Sequence, residues 1–139
     1  MTDRKFETFE DFWPYYVTEH KEPATRLLHF IGTTAGFACV AGAVVFKKRW
    51  LFAVAPVVGY GCSWIGHFFI EKNKPATFKH PLWSFRGDMR MWHLMVRGKM
   101  QAEVDRILRE EAERAEKERA SAEPEASSDG HVVQGAAVN

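Results

Sequence analysis

The sequence predicts an all-α fold, a small helical membrane protein with a transmembrane helical hairpin, flanking amphipathic or interfacial helices and a disordered C-terminal tail. Residues 30–46 contain no charged side chain, and residues 50–70 contain no Asp, Glu, Lys or Arg. The two apolar stretches are separated by only three basic residues, 47–49. Each stretch is close to the roughly 20 residues that cross a hydrocarbon core.

The composition divides the 139-residue chain into three parts. We predict a membrane domain over residues 1–98, a charged amphipathic helix over 99–120 and a disordered tail over 121–139, where small and polar residues prevail. The formal net charge of +1 gives no reason to expect a nucleic-acid partner.

Residues 5–19 predict a short helix with an aromatic stripe, because Phe9, Trp13 and Tyr16 fall at helical spacing. The stripe can pack on the core, or it can lie at the bilayer interface, where Trp and Tyr are enriched. We favour the interface. Pro23 suits the first turn of the next helix.

The apolar stretches themselves predict helices that pack closely in lipid. Gly32 and Gly36 are four residues apart, as are Gly59 and Ser63, and small residues at this spacing let membrane helices approach each other. The alternative is a hairpin buried in a soluble protein. Basic residues outside the hairpin turn favour cytoplasmic termini by the positive-inside rule.

Residues 81–98 mix bulky apolar and charged side chains, so this segment can span the membrane, re-enter it or lie on it. From Met100 to Ala112 the apolar positions follow a helical period, which predicts an amphipathic helix.

Ionisable side chains gather at the ends of the predicted hairpin. His67 and Glu71 are four residues apart and share one helix face. Both ends of a hairpin meet the same membrane surface, so His29 and His67 can be neighbours. A break at Pro23 lets His20 join them. Imidazoles with a carboxylate suit Fe, Zn, Cu or Ni, and structural hydrogen bonding is the alternative. The candidates are His20, His29, His67, His80, Glu71 and Asp88.

Two segments resemble the signatures of the Mpo1-like family over roughly residues 8–98. The second is long and unusual, Gly-His-Phe-Phe-Ile-Glu-Lys-Asn-Lys-Pro-Ala at 66–76, and Pro81-Leu82-Trp83-Ser84 with Asp88 and Met89 continues it. The first consists of Phe-Trp-Pro-Tyr-Tyr at 12–16 running to His20, followed by Pro23, Arg26 and His29-Phe30-Ile31-Gly32. Thr25 departs from the pattern, since the family commonly has Asn there.

The resemblance implies an Fe(II)-dependent dioxygenase of fatty acid α-oxidation, which converts a 2-hydroxy fatty acid to the acid one carbon shorter and releases CO2. Its partners would be a long-chain 2-hydroxy fatty acid, O2 and membrane lipid. The chain would be an integral, multi-pass membrane protein, in the inner membrane of a bacterium or the endoplasmic reticulum of a eukaryote.

The resemblance also implies roles for individual residues. His20, His29 and His67 would hold Fe(II), with His80 and Asp88 as reserve ligands. Glu71 would be a fourth ligand or orient an imidazole, and we expect catalytic roles for Glu71 and Asp88. The substrate carboxylate and 2-hydroxyl would chelate the iron beside O2, while the acyl chain lies along the apolar helices. The residues expected to pair with the carboxylate are Arg26, Lys72 and Lys74.

Two other functions fit the same residues. The first is a non-catalytic lipid-binding or scaffold hairpin whose histidines only form hydrogen bonds, and the second is a zinc-dependent lipid hydrolase.

Overall fold

The computed structural model describes residues 6–128, and side chains to residue 122, as a set of helices without a strand in that range. A π-helical turn, Gly66–Glu71, and a 3-10 turn, Ala76–Phe78, connect the third helix to the fourth. The α-helices are α1 (Phe9–Thr18), α2 (Pro23–Val45), α3 (Leu51–Ile65), α4 (Pro81–Val96) and α5 (Met100–Ser128). The all-α prediction is confirmed.

The hairpin formed by α2 and α3 has two segments long and apolar enough to cross a membrane, Pro23–Val45 and Leu51–Glu71. Only 17% and 22% of the residues in their most apolar windows are buried within the protein. A core helix of a soluble protein would bury most of them, so the outward apolar side chains favour lipid as their surroundings. Examples of these exposed side chains are Ile31, Val44, Phe52, Val57 and Ile65.

Small residues set how closely α2 and α3 approach each other. A Cβ added to Gly32 would lie 2.8 Å from the carbonyl oxygen of Gly59 and 2.9 Å from Cβ of Cys62. These distances leave no room for a side chain, as the spacing of small residues predicts. Gly36 is less crowded, since its added Cβ would meet the Ala55 carbonyl oxygen at 3.4 Å.

Helix α1 is held inside the protein. Its first turn is closed by a capping box between Thr8 and Asp11. The aromatic stripe of Phe9, Trp13 and Tyr16 is buried, and α1 contacts α4 and α5. The stripe therefore packs on the core, and our preference for the bilayer interface was wrong for these side chains.

Helices α4 and α5 complete the core around α1. A Cβ on Gly87 of α4 would lie 2.8 Å from the Tyr16 ring, so the two helices touch at this position. Along α5, Met100, Val104 and Ile107 are buried as the helical period predicts. Helix α5 continues past the predicted boundary at 120 to Ser128. Residues 129–139, the rest of the predicted tail, lie outside the described part of the chain.

Replacing Gly32 by Ala should destabilise the hairpin by about 1–3 kcal/mol, because the new methyl group overlaps Gly59 and Cys62. Gly61→Ala is the matched control, since its Cβ meets no atom within 4 Å and alanine favours the helix. Thermal unfolding in detergent measures both variants. Equal midpoints would show that the helices are not closely packed at Gly32.

Candidate metal centre

Three histidines from three separate segments converge in the interior. His20 follows the end of α1, His29 lies in the second turn of α2 and His67 lies in the π-helical turn. Each offers a ligand atom, and these atoms all lie within 4.8 Å of one another. All three residues are at least 96% buried. Of the His, Cys, Asp and Glu side chains in the described residues, these three histidines form the group that could hold a metal ion.

Each imidazole uses its Nδ1 atom for a hydrogen bond to a group outside the three rings. His20 Nδ1 lies 2.6 Å from the Tyr16 carbonyl oxygen, and His29 Nδ1 lies 2.9 Å from Asp88 Oδ1. His67 Nδ1 lies 2.8 Å from Asn73 Oδ1. All three partner atoms are acceptors, so each Nδ1 carries a proton, and in a neutral ring the lone pair is then on Nε2.

The orientation of the Asn73 amide is fixed by a second set of bonds. Its Nδ2 donates to the backbone carbonyl of Glu19 at 3.1 Å and to the Glu19 carboxylate at 2.9 Å. Its oxygen therefore faces His67 and can only accept. Burial and the nearby Glu71 charge raise the pKa of Glu19.

The Nε2 atoms fit a metal ion. Those of His20 and His29 are buried and have no hydrogen-bond partner among the described residues, which is costly for a polar atom. Burial, reinforced by His29 and His67, lowers the pKa of His20 well below its usual value. That ring is therefore neutral at pH 7 and able to donate its lone pair. Outward Nδ1 bonds are the arrangement that orients metal-bound histidines.

The local backbone explains how these rings come together. Tyr16 and His20 are four residues apart at the end of α1, so the Tyr16 carbonyl lies beneath the His20 ring. The π-helical turn is followed by Lys72, whose φ of 56° is left-handed. This reversal lets the Asn73 backbone N–H donate to the His67 carbonyl at 3.0 Å and returns its side chain to the His67 ring.

Tyr16 connects two of the three imidazoles. Its hydroxyl donates to Asp88, the carboxylate that holds His29, while its carbonyl accepts from His20. Its ring stacks on the His20 ring with centroids 4.1 Å apart. Burial and the Asp88 charge raise the pKa of Tyr16 well above its usual value, so the hydroxyl keeps its proton.

Glu71 and His80 lie apart from this group. The Glu71 carboxylate accepts from the Glu22 backbone N–H at 2.8 Å, at the start of α2. The His80 ring packs against Phe6 and Phe12, with centroids 5.3 and 5.7 Å away. Neither residue therefore belongs to the three-histidine group among the described residues, although we expected both to contact the metal. Asp88 is also outside that group and contacts His29 instead.

The expected carboxylate partners are also placed elsewhere. The buried Arg26 guanidinium donates to the His20 and Lys21 carbonyls and, at 2.6 Å, to Gln101 Oε1. It fastens the α1–α2 connection to α5 and is not free for a substrate. Lys72 and Lys74 are exposed and line a cavity of about 800 Å³ beside Asn73.

Sequence reasoning overlooked Tyr16 and Asn73 as support for the imidazoles. The four-residue spacing from Tyr16 to His20 was a readable signal. Thr25, the departure from the family pattern, has a buried hydroxyl without a hydrogen-bond partner among the described residues. Its side chain lies against Gly66, next to His67.

These features define a class: a small helical protein with a buried three-histidine centre at one end of an apolar hairpin. The chain matches the family described as "2-hydroxy-palmitic acid dioxygenase Mpo1-like" over residues 6–100. It belongs to the Mpo1-like family. Comparison with curated proteins and with solved structures gives no significant match.

Asp88→Asn should weaken metal binding about 10- to 100-fold, because the amide orients His29 less strongly than the carboxylate. Titration of the purified protein with Co²⁺, followed by absorbance, measures the dissociation constant. Asp105→Asn is the matched control, an exposed carboxylate on α5 that accepts from Gln101. An unchanged constant in Asp88→Asn would argue against its support of the centre.

Proposed function

We propose that the protein is an Fe(II)-dependent dioxygenase that oxidises 2-hydroxy fatty acids to the acid one carbon shorter, with release of CO2. The observation that carries the proposal is the buried group of three imidazoles, two of which (His20 and His29) have Nε2 atoms without a partner among the described residues, in a member of a family described by this activity. Bound Fe(II) would supply the activation of O2 and exchange electrons with the substrate.

The proposed reaction balances with O2 alone. A 2-hydroxy acid, R–CH(OH)–COOH, and O2 give R–COOH, CO2 and H2O. The bond between the carboxyl carbon and C2 breaks, the substrate gives up four electrons, and O2 accepts them. No additional reductant is required.

The donor set suits an anionic substrate. Three imidazole ligands bring no negative charge to a divalent ion, and the Asp88 carboxylate bonded to His29 compensates only part of that charge, so a substrate carboxylate would complete the compensation. We assign His20, His29 and His67 to holding Fe(II). Asp88 orients His29 and also lines an apolar groove between α2, α3 and α4, so it can also contact the substrate. Glu71 supports the site indirectly by capping the start of α2.

We also propose that the protein is an integral, multi-pass membrane protein with both termini in the cytoplasm. The protein would lie in the inner membrane if its source is bacterial and in the endoplasmic reticulum membrane if its source is eukaryotic. The two apolar helices with outward side chains support this location. A long-chain acid partitions into the bilayer, so a centre at the end of the hairpin meets it near the membrane surface.

The buried Nε2 atoms favour this proposal over a scaffold with structural histidines. A histidine kept only for hydrogen bonding would use both ring nitrogens, whereas His20 and His29 each use one among the described residues. The same donors also suit zinc, so the zinc-dependent hydrolase is distinguished by metal content and O2 consumption.

His67→Ala should reduce bound iron by at least tenfold and abolish O2 consumption with 2-hydroxypalmitate, since one of three ligands is lost. Metal analysis after anaerobic loading with Fe(II), together with an oxygen electrode, provides both measurements. His93→Ala is the matched control because His93 is an exposed histidine on α4.

The scaffold alternative has a different signature: His67→Ala would lower protein yield while the unmodified protein binds no iron and consumes no O2. Stoichiometric zinc with hydrolysis of a lipid ester, and no O2 uptake, would support the hydrolase. Either result would overturn the proposed function.

A further inference from the structure

A groove of about 320 Å³ runs between α2, α3 and α4. Its volume falls within the range of small-molecule sites, which is about 300–1,000 Å³. It is lined mostly by apolar residues, and Asp88 is the charged residue in its lining. The groove is separate from the cavity beside Lys72 and Lys74.

The polar end of the groove adjoins the three-histidine centre. Asp88 lines the groove and also accepts from His29 Nδ1 at 2.9 Å. Gly32, three residues after His29, also lines the groove. Ser63, four residues before His67, lines it as well. A molecule in the groove would therefore have one end beside the centre and the remainder between the helices.

The far end of the groove is hydrocarbon-like. Val40 and Phe52 line it, one from each hairpin helix. Gly32 and Val40 are eight positions apart on α2, which corresponds to about 12 Å along the helix axis. Gly36 and Ala55 lie between these ends, and their lack of long side chains leaves the space open.

We propose that this groove holds the hydrocarbon chain of the substrate, with its polar end toward the three-histidine centre and its methyl end toward Val40 and Phe52. This inference rests on the proposed function and adds that the residues along the groove select the length of the acyl chain. The site takes one unbranched chain that carries a polar head.

The single charged residue at one end of the groove favours a chain with one polar head over an apolar helix from a second copy. The surrounding surface of the hairpin is exposed and apolar, so a chain dissolved in the bilayer can enter from the side.

Two variants fill the groove at different depths. Gly36→Leu places a branched side chain midway along it, and Val40→Trp enlarges the far end at a position that is 42% exposed and tolerant of size. Gly61→Leu is the matched control, the same substitution on α3 where a Cβ meets no atom within 4 Å. Iron content after loading reports whether each variant retains a folded centre.

Labelling of the metal-free protein tests occupancy without any turnover. A palmitate with a diazirine in the middle of its chain is added to the protein in detergent and irradiated, and its adducts are located by mass spectrometry. We expect adducts at Val40, Phe52 and their neighbours in the groove. Labelling should fall about tenfold in Gly36→Leu, because at least two methylene groups are displaced, and stay unchanged in Gly61→Leu.

Chain-length profiles of O2 consumption provide the second readout. Val40→Trp should shift the preferred 2-hydroxy acid to a shorter chain while short-chain turnover persists. Adducts spread over outward residues such as Val44 and Val57, or equal labelling in Gly36→Leu and Gly61→Leu, would overturn the groove proposal even if iron and turnover were normal. Groove-specific labelling without iron binding would instead overturn the proposed function and leave the groove intact.

Discussion

The hydrogen bonds to the three Nδ1 atoms are the interactions on which the candidate centre depends. Each bond fixes one imidazole through its Nδ1 atom, and the ligand atoms that the three rings offer lie within 4.8 Å of one another. The acceptors come from α1, α4 and the segment after the π-helical turn, so the centre joins parts of the chain far apart in sequence. Loss of any one of these elements would release a ring.

Burial of the centre makes any unpaired polar group around it energetically costly. A buried polar group costs free energy unless it is paired, and the chain pairs most of those around the centre. Tyr16 binds Asp88, Asn73 binds Glu19, and Arg26 binds the carbonyls that precede α2. Among the described residues, the unpaired buried side-chain atoms are the Nε2 atoms of His20 and His29 and the hydroxyls of Thr25 and Ser84. The two Nε2 atoms belong to the group that could hold a metal ion, which is the physical reason for assigning them to a ligand.

Much of this organisation could be predicted from the sequence. The length of the apolar stretches and the short basic turn predicted the hairpin, and its topology placed His29 near His67. The contribution of Asn73 could not be predicted, because the π-helical turn and the left-handed Lys72 break the helical period between it and His67. Arg26 looked free in sequence, whereas tertiary contacts with α5 engage its guanidinium.

The aromatic stripe of α1 shows a different limit. Trp and Tyr at helical spacing suit both a membrane interface and a core, and only the packing of α4 and α5 over them decides between the two. Trp13, for instance, donates to Glu103 of α5 at 2.8 Å, a contact 90 residues away along the chain. Pattern alone carries no information about that partner.

The most direct test of the account is X-ray absorption at the iron edge of the unmodified protein, loaded anaerobically with one equivalent of Fe(II). We predict a first coordination shell that contains three imidazole nitrogens, with the outer-shell scattering of histidine rings. Iron that binds without imidazole scattering, or that does not bind at one ion per chain, would contradict the claim that His20, His29 and His67 form the metal centre.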